Sequence, residues 1–326
     1  MASADDLLKG RHIAVVGAGL VGAGWAIVFA RAGLPVRVFD SNAATTAGVL
    51  DFIQAQLARM RGFGLINDVA AVHARISVSP TLAHAVDDAA YVQESVLERV
   101  DVKIALMKEL QDLVAPDAVI GSSTSGIGAS RFTGDLAIAP RVLVVHPVNP
   151  PHLVPVVELV PSPATSPESL QFAEKLMAAV GQSSVRVNKE VEGFVLNRLQ
   201  GVLLREAWAL VADGVASCED IDKTMRDGLG WRWFFMGPFE TIDLNAPGGV
   251  ADYAARLGPL YQSIAASRTH ETQWSDELVE KVEAERRQFL SQDDLGKRRD
   301  WRDRMLMTLA RDRSAWEEGD GPGTAK

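Results

Sequence analysis

The chain has 326 residues, a length typical of two domains. It carries 33 Lys and Arg against 42 Asp and Glu, a formal net charge of −9, which argues against nucleic acid or an anionic membrane surface as its main partner. Its single cysteine, Cys218, excludes an internal disulfide and favours a cytoplasmic location. Small molecules remain the expected class of partner.

Residues 13–30 form an uncharged stretch that needs to be tested as a membrane span. Its 18 residues just reach the length of a transmembrane helix. However, four glycines lie between positions 17 and 24, and a β-branched run gives way to a helical pattern within the stretch. This combination favours a buried strand, a glycine turn and a buried helix.

The chain up to residue 190 alternates between short apolar runs and amphipathic segments. In chain order, the apolar runs predict strands at residues 12–16, 36–40, 76–79, 91–96, 118–123, 142–146, 156–160 and 184–187. The segments between them predict one helix that ends near residue 32 and further helices at 43–61, 82–86, 102–113 and 166–180. Alternating strands and helices with short connections predict a doubly wound, mostly parallel sheet.

The pattern changes after about residue 191. Long helical periodicity dominates from there, over residues 197–213, 218–227 and through 250–312, and no strand of comparable quality follows. We therefore predict an α/β domain at residues 1–190 and an all-α domain at residues 191–326.

A glycine fingerprint follows the first predicted strand and opens the first helix. In Gly17, Gly19 and Gly22, the first glycine makes a tight turn, the second lets the backbone approach a pyrophosphate, and the third permits close packing of helix and strand. Leu20 and Val21 stand at the helix N-terminus, where backbone N–H groups bind phosphate. The context on both sides is that of a Rossmann dinucleotide-binding domain.

Asp40 ends the second predicted strand, 18 positions after Gly22. A carboxylate there accepts hydrogen bonds from the adenosine ribose and repels a 2′-phosphate, so NAD is favoured over NADP. FAD, which uses the same fingerprint, and a ligand-free turn remain alternatives.

Polar motifs follow the later strands and carry a family resemblance. Ser-Ser-Thr-Ser-Gly at 122–126, His-Pro-Val-Asn-Pro-Pro at 146–151, and the segments at 154–161 and 193–200 resemble the 3-hydroxyacyl-CoA dehydrogenase superfamily. The sequences of these motifs are most similar to those of the lambda-crystallin, or L-gulonate 3-dehydrogenase, branch. Further matches at 205–208, 227–230, 237–241 and 301–303 extend the resemblance over nearly the whole chain.

The resemblance implies a set of site residues. The family's catalytic serine, histidine, glutamate and asparagine fall on Ser125, His146, Glu158 and Asn197. Its NAD-contacting glutamate and lysine fall on Glu98 and Lys103.

The chemistry of these side chains agrees with that carry-over. Oxidation of a secondary alcohol needs a base for the hydroxyl proton, and histidine serves near neutral pH. A glutamate at the other ring nitrogen fixes the tautomer and stabilises the imidazolium. Ser125 and Asn197 can hydrogen-bond the reacting oxygen. No metal is expected, because the single cysteine and scattered histidines lack the spacing of a metal site.

The substrate is expected to be a free L-3-hydroxy acid, with L-gulonate as the best named candidate. The coenzyme A site of the acyl-CoA enzymes is lysine-rich after the second strand, whereas residues 43–75 contain Arg59, Arg61 and Arg75 but no lysine. Arg232 is a candidate partner for the substrate carboxylate. An L-3-hydroxyacyl-CoA such as 3-hydroxybutyryl-CoA remains the alternative substrate.

The helical half carries six of the seven tryptophans. The resemblance implies a homodimer formed through this half, with Trp208, Trp231 and Trp233 as candidate interface anchors or, equally, as parts of an ordinary helical core. A non-catalytic, crystallin-like NAD-binding protein is a further alternative, and the intact set of Ser125 and its three partners argues against it.

Overall fold

The computed structural model describes residues 4–268 and 271–320. Residues 1–3, 269–270 and 321–326, which belong to the two predicted domains, lie outside the described residues. Two compact units are present: one runs from the N-terminus to Arg198 and includes the segment from Arg299 onward, and the other is Leu199–Arg298. The units therefore divide eight positions beyond residue 190, and the C-terminal segment belongs with the first unit rather than with the helical one.

The first unit is built on an eight-stranded sheet with the order β3-β2-β1-β4-β5-β6-β7-β8. The strands are β1 (His12–Val16), β2 (Val36–Phe39), β3 (Ile76–Val78), β4 (Ala89–Glu94), β5 (Val119–Ser122), β6 (Val142–Pro147), β7 (Val156–Pro161) and β8 (Ser183–Arg186). β1 to β6 are parallel, and β7 pairs antiparallel with β6. The chain leaves β1 for β2 and β3 on one side and returns to β4 on the other, which creates a crevice at the carboxyl ends of β1 and β4.

Helices cover both faces of this sheet. They are α1 (Ala4–Leu8), α2 (Leu20–Arg31), α3 (Ala43–Gly62), α4 (Val69–His73), α5 (Leu82–Val86), α6 (Val100–Leu113), α7 (Ser130–Thr133) and α8 (Pro167–Ala179). Alternate residues of β1 enter different cores, because side chains of a strand alternate between its faces. Val15 packs with Phe29 of α2, and Val16 packs with Met107 of α6.

The helical part of the chain begins within the motif at 193–200. Its helices are α9 (Leu196–Ala212), α10 (Cys218–Lys223), α11 (Gly230–Trp233), α12 (Pro238–Leu244), α13 (Gly249–Ser267), α14 (Asp276–Phe289) and α15 (Leu295–Asp320), with a π-helical segment at Thr224–Leu229. In the second unit a small core forms around Val211, Cys218 and Leu278. The predicted fold class, a doubly wound and mostly parallel sheet followed by helices, is confirmed.

The C-terminal helix α15 packs on the first unit. Met307 is completely buried in the same core as α2 and α3, and Arg59 of α3 pairs with Asp300 at 2.9 Å. The periodicity of apolar residues predicts a helix but not what the helix packs against, so it did not predict that α15 packs on the first unit. No helix in the described ranges is both long and apolar enough to cross a membrane.

Candidate active site

The glycine fingerprint forms the turn that the sequence predicts. Gly17 has a φ of +100°, and a Cβ there would collide with the Ser95 carbonyl. A Cβ on Gly22 would collide with the Gly17 carbonyl and lie 3.3 Å from Val15 Cγ1, so the third glycine lets α2 pack on β1. Gly19 faces open space at the N-terminus of α2. The turn therefore leaves room for a pyrophosphate beside the N-terminus of α2. The first N–H groups of a helix have no partner within it and can donate to phosphate oxygens.

Asp40 lies directly beside this turn. Its Oδ2 accepts a hydrogen bond from the Ala18 backbone N–H at 2.8 Å, and its Oδ1 accepts one from Asn42 at 2.8 Å. These bonds hold the carboxylate at the end of β2 and leave it further lone pairs for ribose hydroxyls. The residues of the turn therefore fit an adenosine dinucleotide.

His146 and Glu158 form a buried pair at the end of β6. The antiparallel register of β6 and β7 sets the two residues directly opposite each other, and Nδ1 of His146 lies 2.8 Å from Oε2 of Glu158. The exposed fractions of the side chains are 6% and 2%. Among the described residues Nε2 of His146 has no hydrogen-bond partner. The imidazole is thus held in one orientation, with one nitrogen available to substrate.

The other oxygen of Glu158 is held by the start of α9. Its Oε1 accepts hydrogen bonds from the backbone N–H groups of Val195 and Leu196 at 2.8 and 2.9 Å. Burial by itself would raise the pKa of Glu158, but the bond to His146 and the two backbone N–H groups outweigh it and leave the pKa below its ordinary value. Glu158 is therefore an anion at neutral pH.

Ser125 and Asn197 meet although they lie 72 positions apart. Nδ2 of Asn197 donates to the backbone carbonyl of Ser125 at 2.6 Å. The chain reaches Asn197 through two residues in the left-handed region, Gly193 (φ +74°) and Phe194 (φ +51°). The buried Phe194 ring packs against the His146 imidazole, with ring centroids 5.7 Å apart. The turn before α9 thus contacts His146 and Glu158, and the start of α9 contacts Ser125.

Glu98 and Lys103 brace the Ser125 loop. Glu98 Oε1 accepts hydrogen bonds from Thr124 Oγ1 at 2.6 Å and from the Ser125 backbone N–H at 2.8 Å. Lys103 Nζ is 1% exposed and donates to both oxygens of Glu94, at 2.8 and 2.9 Å. A direct contact of Glu98 or Lys103 with NAD stays a prediction.

Sequence reasoning did not single out Glu94. Its carboxylate is completely buried and also accepts a bond from Ser122 Oγ, which joins β4, β5 and α6 below the site. A charged residue at the end of a buried strand was the available indication, because a buried carboxylate needs a partner.

Arg232 and the three predicted anchors Trp208, Trp231 and Trp233 belong to the second unit. Arg232 is exposed on α11, and Trp231 beside it is 73% exposed. Trp208 packs on the small core and stacks on Trp274 with ring centroids 4.5 Å apart. Trp208 is therefore part of the core of this unit, whereas Trp231 is open to a partner.

Comparison with known proteins matches both halves of the chain to one family. The sequence model of the 3-hydroxyacyl-CoA dehydrogenase NAD-binding domain matches residues 12–191, and that of the 3-hydroxyacyl-CoA dehydrogenase C-terminal domain matches residues 193–290. These matches confirm the predicted family and NAD as the cofactor.

Individual relatives resemble the chain over most of its length. Lambda-crystallin of Oryctolagus cuniculus is 38% identical over 92% of this chain and 95% of its own. L-carnitine dehydrogenase of Streptomyces griseus subsp. griseus is 37% identical over 76% of this chain and 74% of its own. The solved structure of an NAD+-dependent dismutase, 5-formyl-3-hydroxy-2-methylpyridine 4-carboxylic acid 5-dehydrogenase, has a TM-score of 0.80 at 25% identity and covers 92% of this chain and 97% of its own. The chain belongs to the 3-hydroxyacyl-CoA dehydrogenase family and is an NAD-dependent oxidoreductase of CH–OH groups.

Proposed function

We propose that this enzyme oxidises the 3-hydroxyl group of a free L-3-hydroxy acid, and that L-gulonate, giving 3-dehydro-L-gulonate, is the best candidate. The observation that carries the proposal is the buried His146–Glu158 pair, with Nδ1 bound at 2.8 Å and Nε2 left for the substrate. Ser125 on the loop after β5 and Asn197 at the start of α9 complete the site.

Each side chain has a separate role in this proposal. His146 Nε2 takes the proton of the substrate hydroxyl, and the Glu158 carboxylate stabilises the imidazolium that results. Asn197 uses one Nδ2–H to hold the Ser125 carbonyl, so its second Nδ2–H and the Ser125 hydroxyl remain to donate to the reacting oxygen. Ser125 and Asn197 therefore orient the alcohol toward the base.

Gly17, Gly19, Gly22 and Asp40, with the backbone of Leu20 and Val21, are the residues that would hold NAD. When bound, NAD supplies the acceptor for the hydride that leaves the carbinol carbon. Glu98 acts on this part of the site through the Ser125 loop, since its carboxylate accepts hydrogen bonds from Thr124 and Ser125. Lys103 acts through Glu98, because its Nζ lies 3.6 Å from Glu98 Oε2.

The charges of the first unit support a free acid over a coenzyme A ester. Of the three arginines between residues 43 and 75, Arg59 pairs with Asp300 at 2.9 Å and Arg75 donates to the Ala30 carbonyl at 3.2 Å. That leaves Arg61 as the guanidinium for several phosphate charges, which is a weak set. The match to the 3-hydroxyacyl-CoA dehydrogenase domains favours the alternative substrate, an L-3-hydroxyacyl-CoA.

Arg232 is proposed as the partner of the substrate carboxylate. A guanidinium binds a carboxylate through two parallel hydrogen bonds, and the exposed Arg232 side chain has its charge available.

A panel of substrates tests the proposal. Steady-state kcat/KM is measured for L-gulonate, L-3-hydroxybutyrate, L-carnitine and L-3-hydroxybutyryl-CoA at saturating NAD. A higher value for a free acid than for the CoA ester supports the proposal, and the reverse order contradicts it. Absence of turnover with every substrate would favour the non-catalytic, crystallin-like alternative.

We also propose a homodimer formed through the second unit. Several large apolar side chains of this unit are exposed, among them Leu199 (59%), Val215 (67%), Trp231 (73%), Phe239 (78%) and Leu244 (67%). Exposed apolar patches of this kind are characteristic of interfaces. Light scattering gives the mass in solution that tests this. A cytoplasmic location rests on the single cysteine and stays a prediction.

A further inference from the structure

A chain of polar side chains runs from the sheet interior to the glycine fingerprint. The Tyr91 hydroxyl donates to Gln93 Oε1 at 2.6 Å, and Gln93 Nε2 donates to Ser123 Oγ at 2.9 Å. Trp25 Nε1 donates to the same Ser123 Oγ at 3.1 Å, and Ser95 Oγ lies 2.8 Å from it. We call these five side chains the Ser123 network.

The buried end of the Ser123 network fixes its direction. Tyr91 is completely buried, and within the described part of the chain Gln93 is the one partner of its hydroxyl. The hydroxyl proton must go to Gln93 Oε1, because the opposite arrangement would leave a buried donor without an acceptor. Gln93 is therefore oriented with its Nε2 toward Ser123.

The number of hydrogen bonds that a hydroxyl can accept and donate fixes the direction of the bond at the Ser95 end of the network as well. Ser123 Oγ has two lone pairs, and the N–H groups of Trp25 and Gln93 occupy both. Its own proton must then go to Ser95 Oγ, the remaining neighbour. Since Ser95 cannot donate back, its proton is left for an acceptor outside the network.

Ser95 lies beside the cofactor turn. Its backbone N–H donates to the Val16 carbonyl at 2.7 Å, and its carbonyl occupies the space that a Cβ on Gly17 would need. It follows β4 at the crevice where the strand order reverses, and it is half-buried. In a doubly wound sheet the dinucleotide binds in this crevice.

We propose that the Ser95 hydroxyl is a hydrogen-bond donor to an acceptor oxygen of the nicotinamide-side phosphate or ribose of the bound dinucleotide, since β4 lies on the opposite side of β1 from β2 and Asp40. Tyr91 is a positioning residue in this proposal: it makes no contact with the cofactor, and it fixes the direction of the bonds that aim the Ser95 proton outward. Phosphate and ribose oxygens are acceptors, so a hydroxyl held as a donor matches them.

Ser95→Ala tests the donor directly. We expect NADH, followed by its fluorescence, to bind about tenfold more weakly, the cost of losing a hydrogen bond to a charged or strongly polar acceptor. ADP-ribose should lose affinity to the same extent, and AMP, which lacks the bridging phosphate and second ribose, should lose none. Ser77→Ala, at the exposed position of strand β3, is the matched control. An unchanged NADH dissociation constant, or an equal loss for AMP, overturns the proposal.

A double-mutant cycle tests the role of Tyr91. Tyr91→Phe releases the Gln93 amide, and we expect it to weaken NADH binding about threefold, with Tyr261→Phe, on an exposed tyrosine, as control. In the Ser95→Ala background the same substitution should leave the NADH dissociation constant unchanged. A structural role of Tyr91 would persist in that background, so a further loss there, or no loss in the wild type, overturns the positioning role.

Discussion

Nδ1 of His146 lies 2.8 Å from Oε2 of Glu158, in an antiparallel strand pair that opposes the two residues directly. The other Glu158 oxygen is bound by two backbone N–H groups at the start of α9. Hydrogen bonds thus join His146, Glu158 and α9, the helix that carries Asn197. A substitution at one of these residues is therefore expected to alter the position or protonation of the others.

His146→Gln should lower kcat by about 10²- to 10⁴-fold, the usual contribution of a general base. NADH affinity should be retained, because His146 has no part in the glycine turn. Stopped-flow turnover and NADH titration measure the two effects. His84→Gln, at an exposed histidine on α5, is the matched control. Full activity of the His146 variant would remove the base assignment.

Glu158→Gln should lower kcat by about 10²-fold or more while the protein stays folded. If the new amide keeps its oxygen toward α9, its NH₂ group faces His146 Nδ1. That nitrogen must then accept, so the proton moves to Nε2, where it blocks base function. Crystals of the variant and its kcat check this together. A variant with wild-type kcat would mean that the carboxylate only holds the α9 turn.

The sequence motifs pointed to the residues that the structure brings together here. They could not predict how these residues contact one another, and the reasons are physical. Ser125 and His146 stand at the ends of β5 and β6, where a parallel sheet gathers its functional side chains, whereas Glu158 lies within β7 and Asn197 at the start of α9. Strand direction was not readable, since an apolar run looks alike in both orientations, yet the reversal at β7 sets Glu158 opposite His146. The bond between Trp25 and Ser123 spans 98 positions and leaves no local pattern.

Asp40→Asn should raise the KM for NAD about tenfold and lessen discrimination against NADP. The backbone N–H groups of Ala18 and Asn42 each donate to one oxygen of Asp40, so one of them would face the new NH₂ group and lose its acceptor, and the repulsion of a 2′-phosphate would disappear. The ratio of kcat/KM for the two cofactors measures this. Asp51→Asn, exposed on α3, serves as control. An unchanged ratio would show that the NAD preference arises elsewhere.

Arg232→Met should raise the KM for free hydroxy acids about tenfold or more, the value of a paired carboxylate, and leave the KM for NAD unchanged. The methyl ester of the same acid is the internal control, because it has no charge to lose and its KM should stay the same. Equal KM values for the free acid in both proteins would mean that Arg232 does not bind the carboxylate.

His152 lies in the loop that follows β6, six positions after His146, and should make the free energy of unfolding sensitive to acid. Burial, together with the nearby charge of Arg31, lowers the pKa of His152 to about 4, and Asp303 of α15 opposes this in part. Neither ring nitrogen has a hydrogen-bond partner among the described residues. The unfolded chain has a histidine pKa of about 6.5, so it binds more protons than the folded chain between these two values.

The free energy of unfolding should therefore fall as the pH drops from about 6.5, by about 2 kcal/mol at about pH 5, through His152 alone. His152→Gln does not titrate, so the difference between wild type and variant should shrink by that amount over this range. Urea unfolding followed by circular dichroism at both pH values measures it. Parallel curves for wild type and His152→Gln would mean that the histidine is charged inside the fold, held there by Asp303.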